Sequence, residues 1–120
     1  MRVAVIGSRD LNVDNLEEFI PPDTTEIVSG GAKGIDACAK AFANENNIPC
    51  TEFLPQYTLY GKGAPLMRNM LIADYADIVL AFWNGKSRGT VYTVKYARKH
   101  GKNVYVYVKS NINGKFILLQ

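Results

Sequence analysis

Three glycine-bearing turns carry the residue types best suited to binding an anion. In chain order they are Gly7-Ser8-Arg9, Ser29-Gly30-Gly31-Ala32-Lys33 and Ser87-Arg88-Gly89-Thr90. Glycine lets the backbone approach a ligand closely and adopt positive φ. The unpaired N–H groups at a helix start carry partial positive charge, so a phosphate suits both features. The turns therefore predict a phosphate cradle, although glycines at these places also serve plain strand-to-helix connections.

Polar side chains in the predicted helices could complete such a site. Arg68 and Asn69 are neighbours, and a guanidinium followed by an amide suits a phosphate or a base edge as well as an ordinary surface. Asp36 falls in the first turn of its helix, where it either stabilises the helix dipole or hydrogen-bonds a ribose or a basic group. Trp83 ends a predicted strand and either lines the site or covers the sheet end.

Several familiar sites are excluded. Gly85-Lys86-Ser87 resembles the end of a Walker A loop, but Leu80 stands where that motif requires glycine. No GxGxxG follows the first strand. The chain has two cysteines, no CxxC and one histidine, which excludes a zinc site built from Cys and His. We predict neither a bound metal nor a cofactor.

Length and composition limit the classes of protein to which the chain can belong. The chain has 120 residues, 48% hydrophobic and 21% charged, which is typical of one globular domain. Its apolar stretches are far shorter than the roughly 20 residues that span a bilayer, and the apolar start at Met1–Gly7 is too short for a signal peptide. We therefore expect a cytoplasmic protein with no membrane partner. The net charge of +3 does not by itself indicate nucleic acid.

Apolar runs alternate with helical periodicity along the chain. We predict strands over 2–6, 26–28, 50–54, 78–83 and 103–108, helices over 13–20, 33–46, from 65 and over 90–100, a loop over 55–64, and a final short strand or tail within 109–120. This order predicts a single α/β domain, Rossmann-like and three-layered, with a mostly parallel five-stranded sheet and helices on both faces. Ligands of such sheets bind beyond the carboxyl ends of the strands, where all three turns lie.

These segments, together with Pro65 and Ala76-Asp77, resemble the SLOG superfamily of Rossmann-like nucleotide-binding domains. The YspA-like branch, also called DUF2493, is the most similar, and the resemblance covers residues 1–108. It implies a sensor or binding module that holds a nucleotide or a nucleotide-like phosphate compound at the carboxyl edge of the sheet. It also implies a homodimer, for which an exposed edge strand offers a route.

Two related families imply alternatives. The Lonely Guy phosphoribohydrolases have a catalytic arginine like Arg68 and a glycine-threonine pair like Gly89-Thr90, which implies N-glycosidic hydrolysis of a nucleoside 5′-monophosphate. Their glutamate would fall at Thr93, so only Asp36, Asp74 or Asp77 could replace it, where the geometry allows. The DNA-processing protein A family resembles residues 29–36 and the Arg68-Asn69 helix, which implies single-stranded DNA as a partner.

Overall fold

The computed structural model describes residues 1–119 and contains one six-stranded sheet. The strands are β1 (Arg2–Gly7), β2 (Glu26–Ser29), β3 (Cys50–Glu52), β4 (Ile78–Trp83), β5 (Asn103–Lys109) and β6 (Phe116–Leu119). Their order is β3-β2-β1-β4-β5-β6, with five parallel strands and β6 antiparallel to β5. The predicted α/β class and mostly parallel sheet are confirmed, and the final short strand adds a sixth member.

Helices cover both faces of the sheet. They are α1 (Ile35–Glu45), α2 (Tyr57–Tyr60), α3 (Ala64–Tyr75) and α4 (Arg88–Lys99). One apolar core lies between the sheet and α1, and a second lies between the sheet and the pair α3 and α4. Within residues 1–119, none of the helices has the length and apolar character needed to cross a membrane.

The pattern of buried side chains explains why the central strand β1 and the helix α1 form where they do. Val3, Ala4 and Val5 of β1 are fully buried, so both faces of this strand lie in a core, as in other parallel sheets. In α1 the buried Ile35 and Ala39 lie one helical turn apart and face the sheet. The strong apolar runs of the sequence are thus those of a sheet covered on both sides.

Two local predictions were wrong. The predicted helix over 13–20 is only a 3-10 turn at Leu16–Glu18. Leu16 is the one buried residue of that turn, and Pro21 stops the chain soon after it. The predicted loop over 55–64 contains the single helical turn α2 and a 3-10 turn at Gly61–Gly63. None of the side chains of α2 is buried, so no apolar periodicity marked this turn.

Candidate functional site

A crevice of about 370 Å³ opens at the carboxyl edge of the sheet, where strand order reverses between β1 and β4. Parts of all three predicted turns meet here with the α3 side chains. The predicted site residues that line it are Gly7, Ser8, Arg9, Gly30, Ala32, Asp36, Arg68, Asn69, Ser87, Gly89 and Thr90. Convergence at a switch point is the arrangement by which open α/β sheets bind ligands.

The first turn is fixed by packing. A Cβ on Gly7 would collide with the carbonyl oxygen of Phe82 and lie 2.7 Å from Cγ1 of Ile35, so glycine is required for close contact with β4 and α1. The buried Ser8 amide donates to Phe82 O at 3.1 Å, and Ser8 Oγ accepts from the Asn84 amide at 3.1 Å. Ser8 thus joins the turns after β1 and β4.

The second turn is partly occupied by its own helix. The Ala32 amide donates to Asp36 Oδ2 at 3.0 Å, and the Gly31 amide donates to Ser29 Oγ at 3.4 Å. That the amides of this turn hold phosphate stays a prediction, and for these two it would require the intramolecular bonds to be given up. The Ala32 bond forms because Asp36 lies in the first turn of α1, from which its carboxylate reaches back to the turn.

Arg68 is the most unusual side chain of the site. It is only 7% exposed, and its Nη1 donates to Gly30 O at 2.6 Å. Its Nε is buried without a hydrogen-bond partner among the described residues. Burial lowers the pKa of the guanidinium, and the charge of Asp36 opposes that shift. A buried guanidinium with a free donor lowers stability until an acceptor reaches it.

Asp36 faces Arg68 across Gly30. Burial raises the pKa of the Asp36 carboxyl, while the Ala32 amide and the Arg68 charge act against the shift. A Cβ on Gly30 would lie 2.6 Å from Arg68 Nη1 and 2.9 Å from Asp36 Oδ2. Only glycine therefore leaves room for the two charged groups on either side of this backbone position.

The third turn presents the start of α4 to the crevice. Ser87 is the N-cap, and its Oγ accepts from the Thr90 amide at 3.4 Å and the Thr90 hydroxyl at 3.2 Å. Asn84 Oδ1 accepts from the amides of Lys86 and Ser87, both at 2.8 Å. Within residues 1–119 the amides of the next two positions, 88 and 89, find no intramolecular acceptor. They are the free N–H groups of a twelve-residue helix.

Five predicted residues lie outside the crevice. Gly31 and Lys33 line an adjoining cavity of about 350 Å³, which shares Arg68 with the crevice. Ser29 is fully buried beneath the second turn, because its Oγ turns inward to the backbone. Arg88 is exposed and lines neither cavity, since the helix turns its side chain outward.

Trp83 also departs from the prediction. Side chains alternate along β4, which turns Trp83 towards the face covered by α4, where its Nε1 donates to Ser87 O at 3.1 Å. It lines a small groove with Val94 and Leu119 instead of the crevice. Trp83 therefore contacts the third turn through the Ser87 carbonyl and does not line the crevice.

Sequence reasoning missed several lining residues, among them Ile6, Asp10, Pro65, Leu66, Ile72 and Asn84. Asn84 directly follows β4, so its position at a strand end was an available signal. Thr93 lines the crevice as well, and its hydroxyl donates to Gly89 O at 2.8 Å. The position at which the phosphoribohydrolase resemblance expects a glutamate thus faces the crevice.

No family model, curated protein or solved structure matches the chain. Within residues 1–119 there is also no cluster of three or more His, Cys, Asp or Glu side chains that could hold a metal ion.

Proposed function

We propose that the crevice binds a nucleotide or a nucleotide-like phosphate compound, and that the protein acts as a sensor or binding module. The observation that carries the proposal is the buried guanidinium of Arg68, whose Nε has no partner and whose side chain lines the crevice. The planar fork of a guanidinium matches the oxygens of a phosphate group, which can accept hydrogen bonds from two of its N–H groups.

The same crevice supplies further phosphate donors. The free amides at the start of α4 carry the positive end of the helix dipole, and Ser8, whose hydroxyl proton is unused within the described residues, lines the same space. Asn69 and Asp36 offer an amide and a carboxyl that suit ribose hydroxyls. A volume of about 370 Å³ lies within the usual range for small-molecule sites.

Calorimetric titration with the four common nucleoside 5′-monophosphates and their nucleosides tests the proposal. We expect at least one monophosphate to bind and its nucleoside to bind at least tenfold more weakly. Arg68→Lys keeps the charge but loses the planar donor array, so we expect a further loss of about tenfold. Lys62→Gln is the control, because Lys62 is exposed and lines neither cavity. Absence of binding by the wild-type protein would refute the proposal.

A second candidate, hydrolysis of the N-glycosidic bond of a nucleoside monophosphate, is favoured by one observation. Asp36 is a buried carboxyl of raised pKa in the same crevice as Arg68, and such a group can exchange a proton during hydrolysis. Thr93, at the position of the expected glutamate, cannot supply that function. Release of ribose 5-phosphate that is abolished by Asp36→Asn would favour this candidate over simple binding.

A further inference from the structure

Acidic and basic side chains are segregated along the chain. All 11 acidic residues lie between Asp10 and Asp77, whereas 8 of the 14 basic residues lie between Lys86 and Lys115. Residues 1–83 therefore carry 6 basic and 11 acidic groups, a formal charge of −5, and residues 84–120 carry +8. The modest total of +3 conceals this separation, which is of the kind found in proteins that bind polyanions.

The fold turns this sequence asymmetry into a spatial one. The sheet order places β3 and β2 at one end and β5 and β6 at the other. Glu26 and Glu52 lie in the strands of the first end. The second end, with β5, β6 and the helix α4 that leads into β5, contains none of the acidic residues. The molecule thus has an acidic end and a basic end.

Four cations concentrate on the outer side of α4, and we name them the α4 basic face: Arg88, Lys95, Arg98 and Lys99. All four are exposed. At 100° per residue they fall within an arc of about 100°, opposite the buried Thr93 and Ala97. The set extends about 16 Å along the helix axis.

These cations have no carboxylate partners within the described residues. The one ion pair of residues 1–119 joins Lys40 to Glu52, at the acidic end. Asp74, on the neighbouring helix α3, accepts instead from the Tyr96 hydroxyl at 2.9 and 3.0 Å. Like charges at such spacing repel one another, and a bound polyanion would relieve that repulsion.

We infer that the α4 basic face binds the phosphate backbone of a nucleic acid. Lys95 and Lys99 lie about 6 Å apart along the helix axis, close to two steps of a nucleic-acid strand, in which phosphates rise about 3.4 Å each. Protein–protein interfaces are depleted in lysine, whereas nucleic-acid interfaces are strongly positive. This surface is separate from the crevice, because none of its four side chains lines that cavity.

Fluorescence anisotropy with a labelled 20-base-pair DNA duplex and its single strand, over a salt series, tests this inference. We expect affinity for the duplex to fall with salt with a log–log slope of about −3 to −4, since four phosphates are contacted. Lys95→Gln with Lys99→Gln should reduce the slope by about 2 and weaken binding by about tenfold or more. Glutamine has nearly the helix propensity of lysine, so α4 should remain folded, which circular dichroism checks.

The matched control is Lys40→Gln with Lys62→Gln, which changes the net charge equally at exposed positions away from α4. We expect it to bind within about twofold of wild type. An equal loss in both double variants, or no salt-dependent binding by wild type, would overturn the inference. The inference would also be overturned if Arg68→Gln lost DNA binding while the double variant Lys95→Gln with Lys99→Gln kept it. The phosphates of the DNA would then lie in the crevice. Self-association of the protein at low salt without DNA binding would also overturn the inference, because the α4 basic face would then contact a second copy of the chain.

Discussion

The guanidinium of Arg68 donates to the backbone carbonyl of Gly30 with Nη1 2.6 Å from the oxygen, although 38 residues separate the two in sequence. The bond joins α3 to the turn after β2 across one wall of the crevice. A turn glycine and a helix arginine are thereby parts of one structure, and the shape of the crevice depends on both.

We expect Gly30→Ala to disturb this contact. The new methyl would lie 2.6 Å from Arg68 Nη1 and 2.9 Å from Asp36 Oδ2, so the guanidinium must move within a buried space. The expected cost is about 1–3 kcal/mol of unfolding free energy, measured by urea denaturation. Nucleotide affinity, measured by calorimetry, should fall by about tenfold because Arg68 is displaced.

Gly63→Ala is the matched control for that substitution. No atom lies within 4 Å of a Cβ built on Gly63, and its φ of −81° is accessible to alanine. We expect unchanged stability or a gain of up to about 1 kcal/mol. If Gly30→Ala changes the unfolding free energy no more than Gly63→Ala does, the position of Arg68 does not depend on the absence of a side chain at residue 30.

The fold could be predicted because its central strands leave strong signals. Val3–Ile6 and Ile78–Phe82 are continuous apolar runs, which occur where a strand is buried on both faces. The segment over 13–20 failed because its few apolar residues pack against the core without a complete helical turn of buried positions.

The location of the candidate site could also be predicted, but the direction of its side chains could not. Strand ends identify the sheet edge, and three turns met there as expected. Trp83 donates to the Ser87 carbonyl and lines the groove beside α4 instead of the crevice, and Asp36 folds back onto the Ala32 amide. Both bonds join residues only four positions apart, but the periodicity of apolar residues does not encode which acceptor or donor a polar side chain takes.

We expect a homodimer formed through the edge strand β6. Ile117, Leu118 and Leu119 are 53%, 47% and 45% exposed, and the strand Phe116–Leu119 itself contains neither a charged residue nor a proline. Ile117→Lys should shift sedimentation velocity profiles to the monomer. Ile112→Lys is the control, since Ile112 is 96% exposed in the preceding turn and receives the same new charge. A concentration-independent monomer in wild type would contradict the expectation.

The raised pKa of Asp36 predicts a specific pH dependence of stability. Because burial raises the pKa above its unfolded value of about 3.9, the native state binds the proton more tightly than the unfolded state does. This contribution is complete below that value and is lost as pH rises through the raised pKa. Wild type should therefore lose unfolding free energy relative to Asp36→Asn as the pH increases from about 4 upward.

Asp77→Asn gives the opposite sign and serves as the control. The Arg2 amide donates to Asp77 Oδ2 at 2.7 Å and lowers the pKa of that carboxyl, so its stabilisation is present above the usual pKa and is lost in acid. Urea denaturation at pH steps measures both differences. A gap between wild type and Asp36→Asn that stays constant with pH would show that Asp36 titrates normally in the folded protein.

Two substitutions at Ser87 separate helix capping from anion binding. Ser87→Ala removes the oxygen that accepts from the Thr90 amide, and we expect a loss of about 1 kcal/mol in thermal denaturation. Ser87→Asp keeps a capping oxygen and places a negative charge at the positive end of α4, so stability should equal or exceed that of wild type. The same carboxylate repels a phosphate at the free amides of positions 88 and 89, so nucleotide affinity should fall by at least about tenfold. If Ser87→Asp binds nucleotides as tightly as wild type, the phosphate does not lie at the start of α4.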